Sequence, residues 1–126
     1  MKAVAYSIKP FEKEYLAKAN QKKHDITLIS NALDIYTAIY AEGKQVVIVS
    51  MEDDVSAKVL ENLSLLGIKY IISRSGVNQA DQTAAAGQDI KLLTIKCDPS
   101  ITKTKSTVLL QEIADKTIRI LDLCSN

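Results

Sequence analysis

Gln45-Val-Val-Ile-Val-Ser50 contains an unbroken run of β-branched apolar residues. Such a strand has no polar face to offer solvent, so it belongs in the middle of a parallel sheet covered by helices on both sides. The rest of the chain alternates accordingly. Further strands are predicted over residues 3–8, 25–29, 69–73 and 91–95, each separated from the next by a stretch with helical character. Five strands alternating with helices define an α/β fold: a flavodoxin-like three-layer arrangement of a five-stranded parallel sheet with helices on both faces. Residues 1–126 read as a single domain without linker, repeat or low-complexity tract.

The predicted helices carry their own signals. Pro10 suits a first helical turn, where its missing N–H is not needed, and Phe11, Tyr15 and Ala19 follow as an i, i+4 stripe. A shorter helix places Leu33, Tyr36 and Tyr40 inward and ends before Gly43. Asp53, Asp54 and Ser56 stand where N-cap and first-turn residues belong, ahead of Val59, Leu60, Leu63 and Leu66, with Gly67 closing that helix. A long helix over roughly residues 104–123 ends the pattern.

Several function classes are excluded by composition. Net charge is +1, and the Lys-rich runs at 21–23 and 102–105 are short and free of interleaved aromatics, so no nucleic-acid footprint is expected. No apolar run reaches membrane-spanning length, and Met1-Lys-Ala-Val-Ala-Tyr leads straight into a strand without a signal region. The expected location is cytoplasmic. Cys97 and Cys124 lack metal-ligand spacing and are expected to be reduced.

Chemistry is most strongly suggested by Tyr70-Ile-Ile-Ser-Arg-Ser-Gly-Val-Asn-Gln-Ala-Asp. A strand runs there into a glycine-containing loop and then a short Ala-rich helix. Ligands of open parallel sheets sit outside the carboxyl ends of strands, so a small anion would be held at this loop. Other chemistries fare worse. Gly43, Gly67, Gly76 and Gly87 are scattered singly, whereas a dinucleotide needs closely spaced glycines, so no NAD site is expected. The single histidine, His24, precedes the second strand at the opposite end of the sheet and reads as a solvated turn residue. Asp53, Ser73 and Lys96 mimic the phospho-acceptor site of response regulators, but Ser7-Ile8-Lys9-Pro10 lacks the acidic pair that would hold Mg²⁺. Cys97 follows a strand end without a histidine to act as its base. No catalytic residue is expected.

The order of short stretches along the chain is itself informative. Met1-Lys-Ala-Val-Ala-Tyr-Ser, Lys9-Pro-Phe, Tyr40-Ala-Glu-Gly, Asp53-Asp-Val-Ser-Ala and Leu66-Gly-Ile-Lys-Tyr-Ile are followed by Arg74-Ser, Gly76 with Asp81, Ala84-Ala-Ala and Ile90-Lys. From Met1 to about Ile95 the chain resembles the N-terminal, substrate-binding (catalytic) domain of the D-isomer-specific 2-hydroxyacid dehydrogenases, nearest the D-lactate dehydrogenase branch. The family's loop reads Arg-Ser/Asn-Val-Gly-x-Asp-x-x-Asp. Arg74, Ser75, Gly76 and Asp81 match it once one residue is deleted between Ser75 and Gly76, and Asn78 stands where Asp is usual. In the family, backbone N–H groups of this loop hold the substrate carboxylate. The resemblance assigns that role to Ser75, Gly76 and Val77. Further on, the family's Val-Pro-x-Tyr-Ser-Pro segment is replaced by Ile95-Lys-Cys-Asp-Pro-Ser, so Asp98 takes the Tyr position.

The family continues into an NAD-binding Rossmann domain with a catalytic Arg, Glu and His, and that domain is expected to be absent here. The resemblance therefore implies a stand-alone homologue of the substrate-binding domain, inactive by itself and without a cofactor. It would act as a binding module for a small 2-oxo or 2-hydroxy acid, or as an interaction module. The alternative is a fragment or subunit of a split NAD-dependent D-lactate or 2-hydroxyacid dehydrogenase; a degenerate remnant that merely folds is a third reading. In the final helix, Val108, Leu109, Leu110, Ile113, Ala114, Ile118, Ile120, Leu121 and Leu123 occupy more than the single stripe a surface helix needs. A homodimer through this helix, with Ile113 and Ile120 at its interface, is expected; packing back onto its own sheet is the other arrangement.

Overall fold

The computed structural model describes residues 1–50, 52–74, 85, 87–95 and 106–124. Its elements run β1 (Lys2–Ala5), α1 (Pro10–Asn20), β2 (Asp25–Leu28), a 3-10 turn (Ala38–Ala41), β3 (Val46–Val49), α2 (Ala57–Leu65), β4 (Tyr70–Ser73), β5 (Lys91–Thr94) and α3 (Ser106–Cys124). The strands form one parallel sheet in the order β2-β1-β3-β4-β5, the flavodoxin-like order. The five predicted strands are all present, each shorter than expected, and β1 begins one residue earlier, at Lys2.

Period-two alternation distributes the sheet's side chains between two cores. Val4, Val47, Val49 and Ile71 point to the face closed by Val59, Leu60 and Leu63 of α2, together with Leu33, Ala38 and Ala41. Ala3, Ala5, Val46, Ile48 and Ile72 point to the other, closed by Leu16 of α1 and by Ala114, Ile118 and Leu121 of α3. All four residues of β3 are buried, as its uninterrupted apolar run requires.

Three local expectations are corrected. Phe11 is 59% exposed, and the inward residue of α1 is Leu16, with Tyr15 and Ala19 partly buried beside it. Phe11 lies five residues before Leu16, about 140° away around the helix at ~3.6 residues per turn. Instead, Glu12 faces inward. The predicted second helix is only the 3-10 turn, where Leu33, Ala38 and Ala41 are buried while Tyr36 is 81% exposed and Tyr40 is also exposed. Asp34 Oδ1 accepts the Tyr36 and Thr37 N–H groups at 2.8 and 2.9 Å, and Thr37 Oγ1 donates to the Ala32 carbonyl at 2.7 Å. Side chains thus capture the backbone partners that a regular helix would use. The third correction concerns Asp53, which turns away from α2 and is described below. Ser56 is the N-cap of that helix.

At the far end of α2, Gly67 adopts φ +93°, the Ile68 N–H reaches back to the Leu63 carbonyl at 3.1 Å, and the chain is redirected into β4. Among the described residues no helix is long and apolar enough to cross a membrane.

Candidate functional site

The order β2-β1-β3-β4-β5 reverses direction between β1 and β3, and the crevice outside their carboxyl ends is where open sheets of this kind hold ligands. In this chain that crevice is filled from within. Ser7 follows β1 with φ +56°, which swings its side chain across toward the residues after β3. Its hydroxyl donates to Asp53 Oδ1 at 2.6 Å, the same oxygen that accepts the Leu33 N–H at 2.8 Å. Asp53 Oδ2 accepts the Ser50 N–H at 2.7 Å. Asp53 is only 7% exposed, so this carboxylate is a buried clamp joining the ends of β1 and β3 to the segment after β2.

Such saturation decides its chemistry. An ionised carboxylate offers about four acceptor sites, and three short bonds plus a longer one from the Ser50 hydroxyl at 3.4 Å occupy them. Asp53 is left with neither the exposure nor the free lone pair that a phospho-acceptor or metal ligand requires. Its role as a helix-start charge is likewise corrected. Sequence reasoning missed the Ser7–Asp53 pair, although the predicted strand order already made the residues after β1 and β3 neighbours.

Arg74, directly after β4, is 6% exposed. Its Nη1 is ion-paired with Glu12 Oε2, and its Nη2 donates to the Tyr6 carbonyl at 2.8 Å. Glu12 also accepts the Lys9 N–H at 3.0 Å through its other oxygen, closing the first turn of α1. On the rim, Lys9 Nζ pairs with Glu52 at 3.0 Å, both side chains exposed. Lys9 and Arg74 are therefore already paired. The Ser73 hydroxyl is buried without a hydrogen-bond partner among the described residues. Behind β1, the Tyr6 hydroxyl donates to the Thr37 carbonyl at 2.7 Å, and burial, reinforced by the charge of Asp53, pushes its pKa above the ordinary tyrosine range.

Ser75, Gly76 and Val77, the residues expected to hold a substrate carboxylate, lie outside the described residues, as do Asn78, Asp81, Lys96, Cys97 and Asp98. What is described is their anchor: Arg74, whose N–H donates to the Val49 carbonyl at 2.8 Å and whose guanidinium is fixed on α1. Ile113 and Ile120 are partly buried against the core shared by α1, α3 and the sheet. His24 is corrected. Its side chain is 5% exposed, and its Nε2 lies 2.8 Å from Asp122 Oδ1, so it fastens the start of β2 to the last turn of α3. Cys124, on that same turn, has its thiol pKa raised by partial burial, with Lys91 opposing the shift.

Among the described residues no group of three or more His, Cys, Asp or Glu side chains could hold a metal. A dinucleotide needs glycines where backbone closes on the pyrophosphate. Among the described residues, Gly43, Gly67 and Gly87 stand singly, and an added Cβ at each would meet nothing within 4 Å.

Comparison with known proteins places this architecture. No protein-family profile matches the chain. A 2-hydroxyacid dehydrogenase homologue of Schizosaccharomyces pombe is 36% identical over 97 residues, which is 75% of this chain and 29% of the relative. The D-lactate dehydrogenase of Escherichia coli is 34% identical over 97 residues, 75% of this chain and 30% of the relative. The apo-structure of the Escherichia coli D-lactate dehydrogenase superposes with a TM-score of 0.75 at 32% identity, covering 79% of this chain and 32% of that one. The homologues of this chain are D-lactate and D-2-hydroxyacid dehydrogenases. It spans about 30% of the length of the curated dehydrogenases it matches. The five-stranded parallel sheet, with its helices, is the fold of their substrate-binding domain.

Proposed function

We propose that this chain is a stand-alone homologue of the substrate-binding domain of a D-2-hydroxyacid dehydrogenase. In this reading it binds a small 2-oxo or 2-hydroxy acid through the backbone N–H groups of Ser75, Gly76 and Val77 and is catalytically inert by itself, without NAD. The observation that carries the reading is the match to D-lactate dehydrogenase over 97 residues at 34% identity, with a superposable fold. The paired state of Lys9 and Arg74 supports a backbone-held carboxylate, because neither cation is free to take one.

A thermal-shift titration with pyruvate, D-lactate and related acids, with and without NAD(H), tests it. A ligand at ~100 times its dissociation constant stabilises the fold by about 2.7 kcal/mol. The expected result is a shift with acids and none with NAD(H). The absence of any shift with acids, or oxidation of NADH by the pure protein in the presence of pyruvate, overturns it.

A second reading is favoured by coverage, since the chain matches only 30% of the Escherichia coli enzyme. It is a piece of a dehydrogenase that works with a separate nucleotide-binding domain. Pyruvate-dependent NADH oxidation on adding such a domain, against none with either part alone, would establish it. Self-association through α3 belongs to the same proposal and would use the surface that Ile113 and Ile120 leave uncovered, next to exposed Leu123. Sedimentation of the intact chain as a monomer at high concentration would remove it.

A further inference from the structure

We infer that a single water molecule is bound where α1, α3 and the end of β4 meet, with Arg74 Nε as its principal partner. A cavity of about 20 Å³ lies there, bordered by Glu12, Arg74 and Thr117 among Ile8, Leu16 and Ala114. Arg74 is 6% exposed, and its Nε–H has no hydrogen-bond partner among the described residues although both terminal nitrogens of the same guanidinium are engaged. A buried donor left unpaired is costly, and in a charged group more so.

The cavity meets both requirements for a hydration site. A water needs roughly 10–15 Å³ of such space and two to four polar partners. Glu12 and Thr117 supply acceptors beside the Arg74 donor. The Thr117 hydroxyl gives its proton to the Ile113 carbonyl at 2.7 Å and keeps lone pairs for another donor. An anion would meet the Glu12 carboxylate that already neutralises Arg74, whereas a neutral molecule able to donate and accept fits. In that position it connects α1, β4 and α3.

Two measurements on the unmodified chain test this, so no folding defect intervenes. In a crystal structure fine enough to place ordered solvent, one water is expected within ~3.2 Å of Arg74 Nε, with a second contact to Glu12 or Thr117. In solution, the Arg74 Hε proton is expected to show cross-relaxation with water while remaining protected from bulk exchange. An empty cavity, a direct bond from Arg74 Nε to a protein group, or absence of the cross-relaxation would each overturn the inference.

Discussion

The Ser7 hydroxyl and Asp53 Oδ1 lie 2.6 Å apart, a buried hydrogen bond that joins the exit of β1 to the segment after β3. Because the carboxylate also holds the Leu33 and Ser50 N–H groups, its removal takes an acceptor from two buried donors, Ser7 and Leu33, and a part-buried one, Ser50. Asp53→Ala is expected to lower stability by about 2–4 kcal/mol, and Asp53→Asn by less, since an amide oxygen keeps part of the network. Urea unfolding followed by circular dichroism reads both. Equal stability of Asp53→Ala and the parent chain would refute the clamp.

Arg74 and Glu12 form a buried ion pair, so its members are expected to behave unequally when removed singly and together. Glu12→Leu alone leaves the Arg74 charge buried without its partner and should cost about 3–5 kcal/mol. The double variant Glu12→Leu with Arg74→Met should recover a substantial part of that loss. A double-mutant cycle from denaturant curves measures the coupling. Additive losses would show that the two side chains act independently.

Tyr6 gives a pH signature at the alkaline end. Its folded pKa is raised, so the unfolded chain gives up this proton first. The contribution is complete below the ordinary tyrosine value of 10.0 and is lost as pH rises from there toward the folded pKa. Ultraviolet titration should show one of the five tyrosines ionising later than the ordinary range, and only as the protein unfolds. Ionisation of all five while the fold stays intact would contradict the burial.

At the opposite end of the sheet, His24 and Asp122 pin the last turn of α3. Asp122 is 43% exposed, so screening limits the pair to about 0.5–1 kcal/mol. His24→Ala is expected to speed amide hydrogen exchange several-fold around residues 120–124 while leaving β3 unchanged. Uniform acceleration across the whole protein would instead make His24 a determinant of global stability.

The five strands, their parallel arrangement and the two-sided burial of β3 were legible because β-branched runs and period-two patterning act locally. What escaped was set by distance. His24 and Asp122 are 98 residues apart in sequence, and nothing near either announces the other. Asp53 was ambiguous in kind, because a carboxylate shortly before a helix suits both an N-terminal charge and an inward clamp; only the neighbouring Ser7 decides. Phe11 and Glu12 show a similar exchange. Hydrophobicity alone favours Phe11 for the core, but Arg74 draws Glu12 inward and fixes the rotation of α1. Tyr36 and Tyr40 were assigned inward by a helical period that Asp34 and Thr37 interrupt.

The strand order also bears on how the chain acquires its structure during synthesis. β1, β2 and β3 all come from the first fifty residues and form one continuous block of the sheet, with β1 between the other two. β4 then adds to the free side of β3, and β5 to the free side of β4, each in chain order. None of the described strands has to be inserted between two that are already paired, so the sheet can grow outward from a ribosome-bound nucleus as the chain emerges.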